Sequence, residues 1–527
     1  MKHLLRSWKL ACCAAVSMMF VACGGGSDYR DVLPADSFFT LSVDVASLYD
    51  KSGAGPLEQH PLYARLESEL SAVDVLTPEE KEYLLTLLKT PAESGLDTGK
   101  ALFLFMSLGA PDGAAVSMSV ASSQQIGLLL PLSDRAKFEA LLDRICQKSG
   151  LARKTQDGVT CLPFGDSDPY SGLCACDDRA ALLYFATGDL DAVCADAAAL
   201  FAQKRSESLM GNAEIAAALS GRNDVNMVVS YAGFTSLMNN PMLSSLPMVD
   251  ALKAITVIGS TNFEQGEIVS DFEVIYPDAE SRRKVEEFYA YVRPMSGDLV
   301  RYVGDAPTAV MGCGLDGEKL LSLLASMPGG AALTSSPQVA QVMKAFAGDL
   351  LVEFEGMTPD GRYPIATLLA QVNDPSALDV IVANLAGMPV QASGEGAYTL
   401  NLGDVTVWFG VKDNVLYVTN STASKWAVDG SPIEQNKAVA KLFDGQVSAF
   451  YLRFGAVNDL LLRFGGSGPE LEAARSVLSL FDVMEVNSTT EHGRMIVRMT
   501  DRDQNSFKSL CDGVGSLIAG LLAQSGM

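Results

Sequence analysis

The residues able to do chemistry are few, and cysteines lead them. Five fall close together, Cys146, Cys161, Cys174, Cys176 and Cys194, and Cys313 and Cys511 lie further on. Such a group could hold a local disulfide or form a cluster of thiols. Seven is an odd number, so at least one thiol is free or pairs elsewhere. Cys174-Ala175-Cys176 is the one close pair. Without a histidine or a second pair it makes a poor zinc site, so no metal is assigned. Histidine is scarcer still: His3, His60 and His492 are the whole supply. His60 falls at a helix start and His492 on a polar turn, "TEHGR", so both read as solvated. A Ser-His-Asp triad or a Cys-His dyad has almost no material. No G-x-S-x-G elbow exists. Ser281-Arg282-Arg283-Lys284 fits S-x-x-K but reads as a charged helix face. "GLDTGKA" (95–101) lacks the length and the Ser/Thr of a phosphate loop. Asp501, Asp503, Asn505 and Asp512 have the spacing that opens a calcium loop, yet Ser506 stands where glycine is needed, so helix capping is the better reading. No catalytic residue and no cofactor are assigned.

Three cysteines precede that group, Cys12, Cys13 and Cys23, and the last has a different chemistry. Lys2, Arg6 and Lys9 open the chain, residues 10–22 are almost wholly apolar, and small Ala22 precedes Cys23-Gly24-Gly25-Gly26. A positive start, a short apolar run and a small-residue box are the parts of a secretory signal, and the run is too short to span a bilayer. The box resembles a bacterial lipoprotein signal. That likeness implies cleavage before Cys23 and acylation of its thiol and amine. Residues 1–22 are then the leader, and 23–30 the lipidated cysteine with a flexible tether. Acyl chains at about 0.8 kcal/mol per buried CH₂ would hold the protein on a membrane without a spanning helix.

Composition bounds the rest. Hydrophobic residues make up 48% of 527, enough for cores of two to four domains. The net charge is −24, and losing the leader's three cations deepens it. Phosphate binding needs basic surface, so nucleic acid is excluded as a partner.

The elements that must position these residues occur twice. "ALFLFMSLGAPDGAAVSMSV" (101–120) matches "DLLVEFEGMTPDGRYPIATLL" (349–369) through Pro111–Gly113 and Pro359–Gly361, each a hairpin turn. The pairs lead to helices capped by Ser133 or Asp134 and by Asn373 or Asp374. "CACDDRAALLYFATGDLDAV" (174–193) matches "FGVKDNVLYVTNSTASKWAV" (409–428). Residues 36–50 match 306–324, residues 222–238 match 444–462, and residues 252–288 match 480–510, the last pair with Gly266 and Gly493 in the turn. Separations shrink along the chain, so the second copy has shorter connectors. The expected fold is α+β: two tandem homologous domains, 31–295 and 296–527, each a mostly antiparallel sheet with helices packed on one face.

With "VLPADSFFTLSVDVASLYDKSG" (32–53) and "ESGLDTGKALFLFM" (93–106) behind an acylated cysteine, the chain resembles uncharacterised lipoproteins of Bacteroidetes grouped as a domain of unknown function. The resemblance implies an envelope location, at the outer membrane, and no catalytic residues. The leading expectation is a lipid-anchored, non-catalytic binding or scaffold protein, its partner another envelope protein or a glycan. The alternative is a carboxylate-dependent envelope hydrolase acting between the copies. A large exposed apolar surface would favour the first. Two converging carboxyl groups, one with a raised pKa, would favour the second.

Overall fold

The computed structural model describes residues 28–53, 67, 77–108, 124–149, 151–167, 170–233, 249, 252–253, 255–304, 306–327, 329–385, 387–422, 437–466 and 468–525. Cys23 and the leader, His60, Pro111–Gly113 and Trp426 lie outside them. The first ten strands are β1 (Ser37–Val43), β2 (Leu102–Ser107), β3 (Gln125–Pro131), β4 (Lys154–Gln156), β5 (Val159–Ser167), β6 (Tyr170–Cys176), β7 (Ala180–Thr187), β8 (Val225–Ser230), β9 (Thr256–Glu264) and β10 (Glu267–Ile275). The next ten are β11 (Ala309–Asp316), β12 (Phe346–Met357), β13 (Pro364–Val372), β14 (Val390–Gly394), β15 (Ala397–Leu402), β16 (Val405–Lys412), β17 (Val415–Thr419), β18 (Ser448–Arg453), β19 (Phe481–Ser488) and β20 (His492–Met499).

The chain divides into two compact units, neither of them continuous in sequence. The first holds the chain up to Ser37 with Thr90–Thr98 and Leu102–Ala217; the second holds Phe38–Lys89, Gly99–Ala101 and Ala218–Met527. Strands of the first unit pair antiparallel in the order β4-β5-β6-β7-β3-β2. Those of the second run β1-β8-β9-β10-β20-β19-β18-β11-β12-β13-β17-β16-β15-β14, again antiparallel throughout. Mixed helix and strand with extensive antiparallel sheet is therefore the observed class.

Local chemistry sets the hairpins. Asp157 and Gly158 both have positive φ, 50° and 83°, and join β4 to β5 in two residues. Asp413 and Asn414, at 52° and 60°, do the same between β16 and β17. Two consecutive left-handed residues match the twist of the flanking strands, and Asp, Asn and Gly tolerate that conformation best. Pro359–Gly361 forms the expected turn: Gly361 has φ +72° and its N–H donates to the Thr358 carbonyl at 2.8 Å. The matched hairpins at Gly266 and Gly493 differ. Gly266 sits in the turn with φ +72°, but Gly493 lies inside β20 opposite Ser488, and the second turn is made by Thr489–Glu491. The loop between β19 and β20 has three residues where that between β9 and β10 has two; the turn is made before the glycine is reached, and His492 becomes the first, exposed residue of β20.

Helices cover both faces of the first unit's sheet, not one face as expected. Phe138 and Leu142 of the helix Arg135–Ser149 pack on Leu162, Cys174, Cys176 and Ala181. Side chains alternate across a strand, so Cys161 and Ala175 point the other way, towards the helix Leu190–Ala202. That helix buries Val193, Cys194, Ala197, Ala198 and Phe201. The strands of "LCAC" and "ALLYFAT" are apolar on both sides, and each side needs its own cover. In the second unit the main core gathers Leu299, Val300, Tyr302 and Val303 against Leu351, Leu369, Tyr417, Phe443 and Tyr451. Full burial of each such side chain contributes about 1.5–3 kcal/mol.

Candidate functional site

The five clustered cysteines are free thiols, and the sheet separates them. Cys174 and Cys176, two apart on β6, face the helix Arg135–Ser149, with Cys146 of that helix packed against the same group. Cys161 would stand opposite Cys176 if β5 and β6 paired regularly from their turn. A bulge prevents it: Gly165 pairs with Gly172 and Pro163 with Leu173, so Phe164 is an extra residue. Cys161 is thereby shifted opposite Ala175, onto the other face, where Cys194 is its thiol neighbour. The five thiols thus form two groups, one on each face of the sheet. Burial pushes the Cys174 thiol up to about 12 and Cys176 to about 11, and pushes Cys161 up further with help from Cys194. Thiols held protonated are poor nucleophiles and poor metal ligands. Among the described residues, no group of three or more His, Cys, Asp or Glu side chains is placed to hold a metal ion.

The same bulge helps to build an exposed apolar row on the first unit. Phe164 turns outward and packs edge-on against Phe185, ring centroids 5.3 Å apart. Gly172, between them, leaves room that a β-carbon would fill, at 2.8 Å from the Phe185 ring. Ile126 lies directly opposite Phe185 on β3, and Tyr170 ends the row on β6. Phe185 is 44% exposed, Phe164 41%, Tyr170 40% and Ile126 37%, on the sheet face whose other end is covered by the helix Arg135–Ser149. A contiguous exposed apolar row of this kind marks an interaction surface more often than scattered single residues do.

Two carboxylates in the second unit were not picked out from the sequence. In "DLLVEFEG" the apolar residues Leu350, Val352 and Phe354 alternate with Asp349, Leu351 and Glu353. It is the second set that faces the core. Asp349 is 4% exposed; its Oδ1 accepts from the Ser296 N–H, and its Oδ2 from the Ser296 hydroxyl and the Gly297 N–H, each at 2.9 Å. Glu353 is fully buried. Its Oε1 accepts the Gly304 N–H at 2.9 Å and its Oε2 has no partner among the described residues. Burial, with the Glu355 charge nearby, raises Glu353 to about 7 against the pull of the Gly304 hydrogen bond. Together the two side chains pin residues 296–304, the turn that carries Leu299, Val300, Tyr302 and Val303 into the core. The raised carboxyl of Glu353 is one part of what a hydrolytic site needs, but both side chains are turned into the protein, where they accept from Ser296, Gly297 and Gly304. The signal that could have found them is the matched strand, where Ala101 and Phe105 stand at the positions of Asp349 and Glu353.

The remaining candidates behave as ordinary structure. The Asp501–Asp512 segment is a helix entrance: Asn505 Oδ1 accepts from the Phe507 N–H at 2.9 Å, and Asn505 Nδ2 donates to the Phe263 carbonyl at 2.9 Å. Ser281 follows the Asp278 cap, and Arg282, Arg283 and Lys284 make exposed pairs along their own helix. No described helix is long and apolar enough to cross a membrane.

Comparison with known proteins adds a family. Crystal form IV of TP0453 aligns at 12% identity and a TM-score of 0.25, over 47% of this chain and 81% of that one. Crystal form I aligns at 11% and 0.25, over 48% and 81%. No curated protein matches the sequence. The family model described as domain of unknown function DUF4836 matches residues 29–436, most of the chain, and the protein belongs to that family.

Proposed function

We propose that the protein is a Bacteroidetes-type envelope lipoprotein, acylated at Cys23, whose two copies of one ten-strand body bind a partner without turning it over. The anchor is supported by the sequence of residues 1–23 alone. The duplication, 31–295 and 296–527, is supported by strand order and register together. The orders β4-β5-β6-β7-β3-β2 and β1-β8-β9-β10 recur as β14-β15-β16-β17-β13-β12 and β11-β18-β19-β20. The sequence matches set Phe105 against Glu353 and Tyr184 against Thr419, and counting back six residues from the matched caps Ser133 and Asn373 sets Gly127 against Thr367. Phe105 pairs with Gly127 as Glu353 pairs with Thr367, and Gly127 with Tyr184 as Thr367 with Thr419. Independent strands would have no reason to keep that register.

Binding rather than hydrolysis is favoured by one observation, the exposed row Ile126, Phe164, Tyr170 and Phe185. Such a surface suits an apolar patch on another envelope protein. The hydrolase reading needs carboxyl groups open to substrate, and Asp349 and Glu353 are occupied within the core. Tagged mature protein, with and without its Cys23 anchor, can capture partners from native envelopes. The double variant Phe164→Ser/Phe185→Ser is expected to reduce capture of the wild-type partner by about tenfold or more. Its melting midpoint should move little, since both side chains are already exposed. Undiminished capture would contradict the row as the binding face. Glycan hydrolysis that persists in the variant would favour the alternative enzyme.

A further inference from the structure

We infer that Cys161 and Cys194 are a disulfide pair, closed as the chain folds, while Cys146, Cys174 and Cys176 stay reduced. The register brings these two sulfurs together. Cys161 is opposite Lys154 on β4 and Ala175 on β6, so all three share the face under the helix Leu190–Ala202. Lys154 Nζ reaches Asp191 Oδ1 in the first turn of that helix at 2.5 Å. Cys194 lies three residues beyond Asp191, one helical turn on, and meets the residue across from Lys154. Two adjacent crossings, one ionic and one thiol to thiol, therefore fix strand and helix to each other. Cys161 is 0% and Cys194 2% exposed. By contrast, Cys174 and Cys176 are neighbours on one strand, their β-carbons directed the same way and about 6.6 Å of strand apart, a poor geometry for a bridge.

Timing follows from burial. A thiol pushed as high as that of Cys161 yields almost no thiolate once folded, so exchange belongs to the stage before the helix closes on the sheet. The oxidant is a small or protein disulfide. One cysteine thiolate attacks it, forming a mixed disulfide and expelling one thiolate. The second cysteine then attacks the mixed disulfide and expels the other. Two electrons pass to the oxidant, and two protons leave with the two thiols it becomes. Only the source of that oxidant in the cell rests on the envelope reading.

The test refolds the reduced, denatured full mature chain in a glutathione redox buffer, quenches exchange with acid, then unfolds the chain in urea with excess iodoacetamide so that buried free thiols are alkylated too, and maps peptides by mass spectrometry. The expected result is one bridge, Cys161 to Cys194, with Cys146, Cys174 and Cys176 alkylated. The bridged chain should melt roughly 5–10 °C above the same chain in reductant. Cys161→Ala and Cys194→Ala should each leave the partner alkylated and remove that reductant-dependent shift. Alkylation of both residues when the refolded wild type is unfolded in the reagent, or a bridge from either one to Cys146, Cys174 or Cys176, would overturn the inference. A chain that closes this bridge in the buffer yet is reduced when isolated from cells would support the pairing and count against the envelope reading.

Discussion

Replacing Asp349 by alanine is expected to destabilise the chain by about 3–5 kcal/mol in urea denaturation. The carboxylate accepts three hydrogen bonds at 2.9 Å from Ser296 and Gly297. Alanine would strand those donors beside a core that water does not reach. Gly297 adopts φ +74° without strain, and that conformation aims its N–H and that of Ser296 at the carboxylate. Gln371 ties the same site from the next strand, its Oε1 accepting the Asp349 N–H and its Nε2 donating to the Ser296 hydroxyl. Asp349→Asn, with one acceptor oxygen left, should lose about half as much. A loss under about 1 kcal/mol for the alanine variant would mean that Asp349 does not pin residues 296–304.

Glu353 is expected to make stability depend on pH in the neutral range. Its folded value is raised from the ordinary 4.5 to about 7. Below pH 4.5 the group is protonated whether the chain is folded or not. As pH rises, the unfolded chain releases the proton first, the folded state holds more protons, and stability falls until the buried carboxyl ionises near pH 7. The difference is about 3 kcal/mol between pH 4 and pH 8. Glu353→Gln keeps an oxygen for the Gly304 N–H and cannot ionise. Its stability relative to wild type should therefore rise by about that amount across the same range, in paired denaturation curves at each pH. Parallel curves for variant and wild type would contradict the assignment. Glu355 is the charge named beside this group, so Glu355→Gln should lower the raised value.

These two residues mark how far the sequence could be read. Alternation revealed the strands and the doubled order of elements, and Pro359–Gly361, Asp134 and Asp278 did what their chemistry predicts. Asp134 Oδ1 accepts from the Lys137 N–H, and Asp278 Oδ1 from the Ser281 N–H. Period alone does not say which face is inside. In β12 the polar-looking set turned inward because residues 296–304 offered N–H groups that carboxylates could satisfy. The matched first-copy position of Gly304 is Pro34, which has no N–H, and Phe105 there is fully buried where Glu353 stands in the second. A proline needs no acceptor and a phenylalanine supplies none. How the cysteines divide between the faces was not legible for a related reason. Cys161 and Cys176 would face each other in a regular hairpin, and one bulge at Phe164 sends them to opposite faces. A bulge has no sequence signature as clear as a turn's, yet here it both divides the thiols and turns Phe164 out beside Phe185.

The claim that this family member works as a tethered envelope protein rests on Cys23. Intact-mass and peptide mass spectrometry of the protein purified from its native cells tests that directly. The expected amino-terminal residue is Cys23 carrying a thioether-linked diacylglycerol and an amide-linked acyl chain. A mature chain that retains residues 1–22, or one that begins elsewhere with Cys23 absent or its thiol unmodified, would contradict it.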